Sequence, residues 1–152
     1  MRIEPEPFDC LVADAGPIFV RHHRELALNQ DVIKMDLDLE RFRELERKDA
    51  LFVLVARDAG KVIGYLLAFL LPHMHYKSAG LMALVDMYYI LPEHRRGAGA
   101  RLFLEFERLM RVRGIVQMMC GCKVHQDHGA LFEKLGWTWS DKTFIKVLGC
   151  PS

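Results

Sequence analysis

The side chains able to do chemistry gather between Asp86 and His128. Asp86 stands in a run of Val, Met, Tyr and Ile, where an unpaired carboxylate is costly to bury, so it is either used or paired. Used, it is a general base; paired, it answers Arg95 or an arginine of the segment that follows. Tyr88 and Tyr89 carry hydroxyls that could give a proton or simply pack. Past Pro92 lies a basic, small-residue turn, Arg95-Arg96-Gly97-Ala98-Gly99-Ala100-Arg101. A strand, such a turn and a helix start form an anion site. The first N–H groups of a helix have no partner within it, and the helix dipole adds positive charge there. Small side chains let a phosphate approach that backbone, and Arg95, Arg96 and Arg101 surround it with full charges. A diphosphate is the guest such a turn suits.

Histidines offer the other titratable groups. His73 and His75, with Tyr76, occupy the loop entering the Asp86 strand, which gives them a substrate-side position, although each histidine also reads as an ordinary surface residue. Cys120, Cys122, His125 and His128 together could form a zinc set. Cys-x-Cys spacing is unusual for structural zinc, and thiols on a strand pack as small hydrophobes, so no metal is expected.

These groups need a scaffold, and its parts alternate clearly. A first strand is expected around Arg2–Glu4 or Phe8–Leu11, then a helix starting at Asp14-Ala15-Gly16-Pro17 and running to about Leu28, burying Phe19, Leu26 and part of the His22-His23 pair. Asp36 or Asp38 caps a second helix ending near Lys48, whose charged face is solvated. The runs 51–57 and 62–71 flank Asp58-Ala59-Gly60-Lys61 as a hairpin. Residues 83–90 form the next strand. Leu102, Phe103, Phe106, Leu109 and Met110 then recur at helical spacing, with Gly114 as the stop. A strand at 115–122, a short helix at 127–135 closed by Gly136, and a strand pair at 137–139 and 143–148 complete the chain.

The order Tyr-Ile-Leu-Pro-Glu-His-Arg, small-residue turn, helix resembles the acetyl-CoA-binding segment of the GNAT superfamily of N-acetyltransferases, Arg/Gln-x-x-Gly-x-Gly/Ala after a Val-x-Pro strand end. Counted without a gap from Pro92, Arg95 takes the Arg/Gln place, Ala98 the first glycine place and Ala100 the Gly/Ala place; a slip of one puts His94, Gly97 and Gly99 there. The segment Leu131-Phe132-Glu133-Lys134-Leu135-Gly136-Trp137 is similar to the family's second hallmark, Leu-Tyr-Glu-Lys-Leu-Gly-Phe, and small single-domain members of the kind found in phage genomes look most alike. The resemblance covers nearly the whole chain. It implies one domain, residues 1–152, of α+β (three-layer α/β) class: a mixed, mostly antiparallel sheet of six to seven strands flanked by about four helices and splayed between the fourth and fifth strands. It also implies transfer of an acetyl group from acetyl-CoA to a primary amine in a ternary complex. Tyr89, Ile90, Leu91, the Arg95–Arg101 turn and Phe132 would bind acetyl-CoA, with a backbone N–H near Tyr88–Ile90 on the carbonyl oxygen. Asp86 would serve as base, and His73, His75 and Tyr76 would face the acceptor. The family's proton-donating tyrosine is replaced by Phe132, so Tyr88 or Tyr89 could donate instead, or the thiolate leaves unprotonated; His125 falls at the family's helix-start asparagine. Phe132 equally suits an alternative, a non-catalytic acyl-CoA-binding module on the same fold.

Composition sets the outer bounds. The chain has 152 residues, 51% hydrophobic, enough for one real core. A net charge of +1 gives no lever for nucleic acid or a membrane surface. No apolar run reaches the length of a membrane span, and the first residues lack the shape of a signal peptide, so a cytoplasmic protein is expected. Four cysteines do not make a disulfide framework in a domain of this size. Homodimerisation is compatible with the sequence and undecided by it.

Overall fold

The computed structural model describes residues 1–149. Its centre is a sheet in the order β1-β2-β3-β4-β5, with β1 at Arg2–Pro5, β2 at Leu51–Asp58, β3 at Lys61–Pro72, β4 at Leu81–Ile90 and β5 at Gln117–Cys120. The first four run antiparallel and β5 joins β4 in parallel, so the sheet is mixed as expected. Ala59 and Gly60 both have positive φ, 46° and 80°, the geometry that turns β2 tightly into β3. Apolar residues fill both faces of β2 and β3, because helices cover the sheet on both sides. One layer holds α1 (Phe8–Leu26) and α2 (Leu39–Arg47) against Val53, Val55, Tyr65 and Leu67. The other holds α3 (Arg95–Val112) and α4 (Gly129–Lys134), with Phe103, Phe106 and Phe132 against Leu54, Leu66 and Val85.

Two expectations need correction. The sheet has five strands among the described residues, not six to seven. Residues 137–149 form no strand; Trp139, Phe144, Ile145 and Leu148 are exposed along them. β-Branched and aromatic content there mimics a hairpin, but a two-stranded ribbon needs a sheet or helix to pack on. β5 is only four residues long and its own ladder runs to β4. Cys150 lies outside the described residues.

The first helix also begins earlier than its local signals suggest. α1 starts at Phe8, so that residues 8–11 are helical and Pro17 stands inside. A proline there removes one backbone hydrogen bond at a cost of about 3 kcal/mol. Burial of Phe8, Leu11, Ala15, Ile18 and Phe19 outweighs it, at about 1.5–3 kcal/mol for each large side chain. The start is fixed from a distance: the Phe8 N–H donates to Glu46 Oε1 of α2 at 2.7 Å. For α2 the local signal suffices, since Asp38 accepts the Arg41 N–H at 3.0 Å. Asp38→Ala is expected to lower stability by about 1 kcal/mol, read from urea denaturation midpoints at unchanged slope. Among the described residues, no helix is long and apolar enough to cross a membrane.

Candidate functional site

The chemistry-bearing residues meet where β4 and β5 part. Their ladder ends at Val85↔Cys120, while β4 continues to Ile90 along β3. The register of β3 on β4 jumps there as well, from Leu67↔Met87 to Ala68↔Val85, which leaves Asp86 as the extra residue of a β-bulge. A bulge re-aims a side chain and swaps the faces of the residues beyond it. Ala83 and Val85 accordingly face the α3 layer, Met87 and Tyr89 the α1 layer, and Tyr88 and Ile90 the α3 layer again. With no strand beside Asp86–Ile90 on the β5 side, the two faces of the sheet open into one cleft of about 270 Å³. It is lined by His22 and Leu26 of α1, by Val85–Tyr88, by Gly121, Cys122, Lys123, Gln126 and His128 after β5, and by Thr143 and Ile145.

Asp86 sits in this cleft without an ion pair to any described residue. Loss of water around its carboxyl raises its proton affinity above the ordinary aspartate range, and Lys123 pulls partly the other way. Tyr88 packs edge-on against Phe103 and Phe132, with ring centroids 5.1 and 6.1 Å away, and His128 lies 6.3 Å off. Burial, then the nearby Cys120, Cys122 and Asp127, pushes its hydroxyl well above the usual tyrosine range, so it stays protonated at neutral pH. Phe132 is buried among Phe103, Trp137 and Tyr88 rather than set at the cleft surface.

The tyrosine next along turns the other way. Tyr89 stacks on His22 at 4.8 Å and donates to Glu25 Oε2 at 2.6 Å. Glu25 in turn binds Arg95 at 2.5 Å, and Arg95 Nε donates to the Ile90 carbonyl at 2.9 Å. Arg95 therefore buttresses the end of β4, and Arg95→Glu would set two carboxylates together and break that tie. Against its own desolvation, the hydrogen bonds from Tyr89 and Arg95 hold the Glu25 carboxyl below the usual glutamate range. His22 completes the network, its Nδ1 2.6 Å from the Tyr65 hydroxyl. Burial lowers its pKa to about 4, so the ring is uncharged at neutral pH. No motif in the sequence marks His22 for more than partial burial on the first helix. Its signal is present nonetheless: it continues the stripe Leu11, Ala15, Ile18 at helical spacing, a histidine on an otherwise apolar face.

Beyond β4, Pro92–His94 form one 3-10 turn, and Arg96 and Gly97 break the helical path before Ala98. Gly97 has φ 79°, which favours glycine, and apart from its chain neighbours and the nearby backbone of its own helix no heavy atom lies within 4 Å of where its Cβ would stand. The turn is thus open to an anion. Ala98 is buried against the sheet, whereas Arg96 and Arg101 are exposed and form no ion pair with a described residue. Gly99 and Ala100 follow in the first turn of the helix proper. Ile90 packs into the α3 layer and Leu91 touches both layers.

Other residues singled out from sequence lie elsewhere. His73 and His75 each lie against Tyr76, at ring distances of 5.6 and 6.5 Å, in the loop between β3 and β4, and none of the three lines the cleft. His125 occupies the exposed turn between Lys123 and Gln126; His128 is the histidine after β5 that reaches the cleft. Cys122 Sγ donates to Asp127 Oδ1 at 3.4 Å, and that oxygen also accepts the N–H of Gly129, the first residue of α4, at 2.7 Å. No group of three or more described His, Cys, Asp or Glu residues is placed to hold a metal ion.

Comparison with known proteins bears on this arrangement. The model of the acetyltransferase (GNAT) family matches residues 19–137. No curated protein sequence matches. Among solved structures, the ribosomal-protein-alanine N-acetyltransferase of Brucella melitensis biovar Abortus 2308 superposes with TM-score 0.71 at 16% identity, covering 97% of this chain and 100% of that one. A predicted acetyltransferase from Clostridium acetobutylicum with acetyl-CoA gives 0.68 at 13% identity, covering 97% and 96%. An aminoglycoside acetyltransferase from an uncultured soil metagenomic sample, in complex with sisomicin, gives 0.66 at 16%, covering 99% and 96%. At these identities the likeness is one of fold.

Proposed function

Because the chain belongs to the GNAT family of acetyltransferases, we propose that it moves an acetyl group from acetyl-CoA directly to a primary amine held beside Asp86. The coincidence that carries this reading is the bulge at Asp86 falling where β5 leaves the sheet. One backbone irregularity opens a passage between the two faces and sets an unpaired carboxylate in it. The open Gly97 turn, at the end of the same strand, fits a diphosphate by its backbone and by the free cations of Arg96 and Arg101. The residues present therefore suit acetyl-CoA, with the edge Tyr88–Leu91 left for its pantetheine arm.

Bound there, acetyl-CoA supplies an activated acyl group and a thiolate leaving group. The protein supplies the rest. Asp86 takes a proton from the ammonium, so that the nitrogen lone pair can form the new C–N bond while the C–S bond breaks. The Tyr88 hydroxyl, kept protonated by its surroundings on the cleft wall, gives a proton to the sulfur, and the second proton, shed by the nitrogen as it becomes an amide, restores that hydroxyl. Arg95, Glu25 and Tyr89 hold the strand end and the turn in register, which limits motion of the two reactants relative to each other.

Calorimetry with acetyl-CoA tests the cofactor half directly. Wild-type protein is expected to bind; absence of heat at high micromolar ligand would end the reading. Gly97→Asp and Gly97→Asn form the informative pair, since both residues tolerate positive φ and differ in charge alone. Gly97→Asp is expected to bind acetyl-CoA at least about tenfold more weakly than Gly97→Asn, because a carboxylate meets the diphosphate. Yet it should melt no lower, since an anion near a helix N-terminus is stabilising. Equal affinities would move the diphosphate away from this turn. Acetyl-CoA binding with no thiol release over a broad amine panel would instead identify a non-catalytic module.

A further inference from the structure

The cleft contains two opposite charges that do not meet. Asp86 and Lys123 both line it, yet no ion pair joins them. Lys123 nevertheless lies close enough to act on the carboxyl of Asp86 and on the ring of His22. The remaining charges nearby are already engaged: Glu25 by Tyr89 and Arg95, Asp127 by the Gly129 N–H and Cys122. The same cleft presents apolar surface from Leu26, Val85, Met87 and Ile145, alongside the polar Tyr88, Gln126, His128 and Thr143. The space, about 270 Å³, lies just under the roughly 300–1,000 Å³ of drug-sized sites.

An acceptor that satisfies this cleft presents an ammonium to Asp86, an anion to Lys123 and an apolar remainder to Leu26, Met87 and Ile145. Resting on the acetyl transfer proposed above, we infer that the acceptor is a small zwitterion, an α-amino acid with an apolar side chain, its amine toward Asp86 and its carboxylate toward Lys123. A polycation is selected against on two grounds. It would need several carboxylates where there is one, and it would bring a positive charge up to Lys123. A multi-ring amino sugar is also too large to be enclosed, whatever the fold shares with enzymes that bind one.

The test compares L-leucine with isopentylamine, the same skeleton without the carboxylate, and with spermidine. In thiol-release assays with acetyl-CoA, leucine is expected to show kcat/KM at least about tenfold above isopentylamine, the margin of one charge-assisted hydrogen bond, and to exceed spermidine. Lys123→Met should erase that margin, lowering the leucine value by at least about tenfold more than the isopentylamine value, since the loss of Lys123 near Asp86 acts on both amines alike. Lys123 is on an exposed turn, so the variant should fold. Equal values for leucine and isopentylamine, preference for spermidine, or a parallel fall of both substrates in Lys123→Met would overturn the inference and leave acetyl transfer standing. Should acetyl-CoA fail to bind, acetyl transfer falls instead. Calorimetry of leucine against isopentylamine on the unliganded protein still decides between the charged pair and an indifferent cleft, with tighter leucine binding expected and equal binding overturning it.

Discussion

Asp86→Asn protein is expected to lose about 10²–10⁴-fold in kcat with any accepted amine, the range for removal of a general base, while becoming more stable. Both effects have one origin. The carboxyl is desolvated and unpaired, so its proton affinity is raised above that of a free aspartate. A raised carboxylate pKa means that the folded state binds the proton more tightly than the unfolded one, and ionisation at neutral pH therefore works against folding. Stability should rise as pH falls through the raised value, and an amide, which never ionises, should remove that slope. Turnover runs the opposite way, because only the ionised form accepts a proton. Wild-type kcat/KM should decline on the acid side at a pH above the usual aspartate range, and the residual activity of Asp86→Asn should lack that limb. A rate profile measured beside denaturation curves separates these outcomes. Full activity in Asp86→Asn, or a variant less stable than wild type, would return Asp86 to a structural role.

Much of this site is legible in the residues, and the failures have physical causes. The Pro92–Arg101 segment announces itself, because prolines, glycines and arginines act through local backbone geometry and charge. The same holds for the Asp38 cap and for the Ala59-Gly60 turn. The bulge at Asp86 is different. A strand period of two predicts that residues 86, 88 and 90 share a face, and one extra residue between Val85 and Met87 changes the assignment for Tyr88 and Tyr89 relative to Ala83 and Val85. Nothing in Leu-Val-Asp-Met-Tyr marks that residue, because the pairing of β3 imposes it. The start of α1 is likewise set by Glu46, distant in sequence, and so escapes a reading of Asp14-Ala15-Gly16-Pro17. His22 was hidden for a third reason. Its role follows from a helix crossing over the parted strands, a tertiary fact, although its place on the apolar stripe was open to view. Residues 137–149 show the converse error, strand-like composition without a ladder to join.

His22 provides the largest expected effect of pH on the fold. Its ring is largely covered beside Tyr65 and Tyr89, and its pKa falls from 6.5 to about 4. Desolvation is the main cause; Glu25 opposes it, while Lys123, His23 and Arg95 add to it. With the folded value below the unfolded one, the unfolded chain takes the proton first as pH drops. The contribution of His22 is therefore complete above about pH 6.5 and shrinks steadily down to about pH 4, where both states are protonated. At 1.36 kcal/mol per unit, that window is worth about 3 kcal/mol, a large part of the stability of a domain this size. Glu25, held below the glutamate range, gives up its own contribution only at lower pH, so the two groups can be told apart. Urea denaturation between pH 7.5 and 4 should show wild type losing about 3 kcal/mol more than His22→Asn, whose amide keeps a polar partner near the Tyr65 hydroxyl and does not titrate. The variant should begin less stable at pH 7.5 and converge on wild type towards pH 4. Parallel curves for the two proteins would mean that the ring is hydrated in solution and that α1 does not seal this side of the cleft.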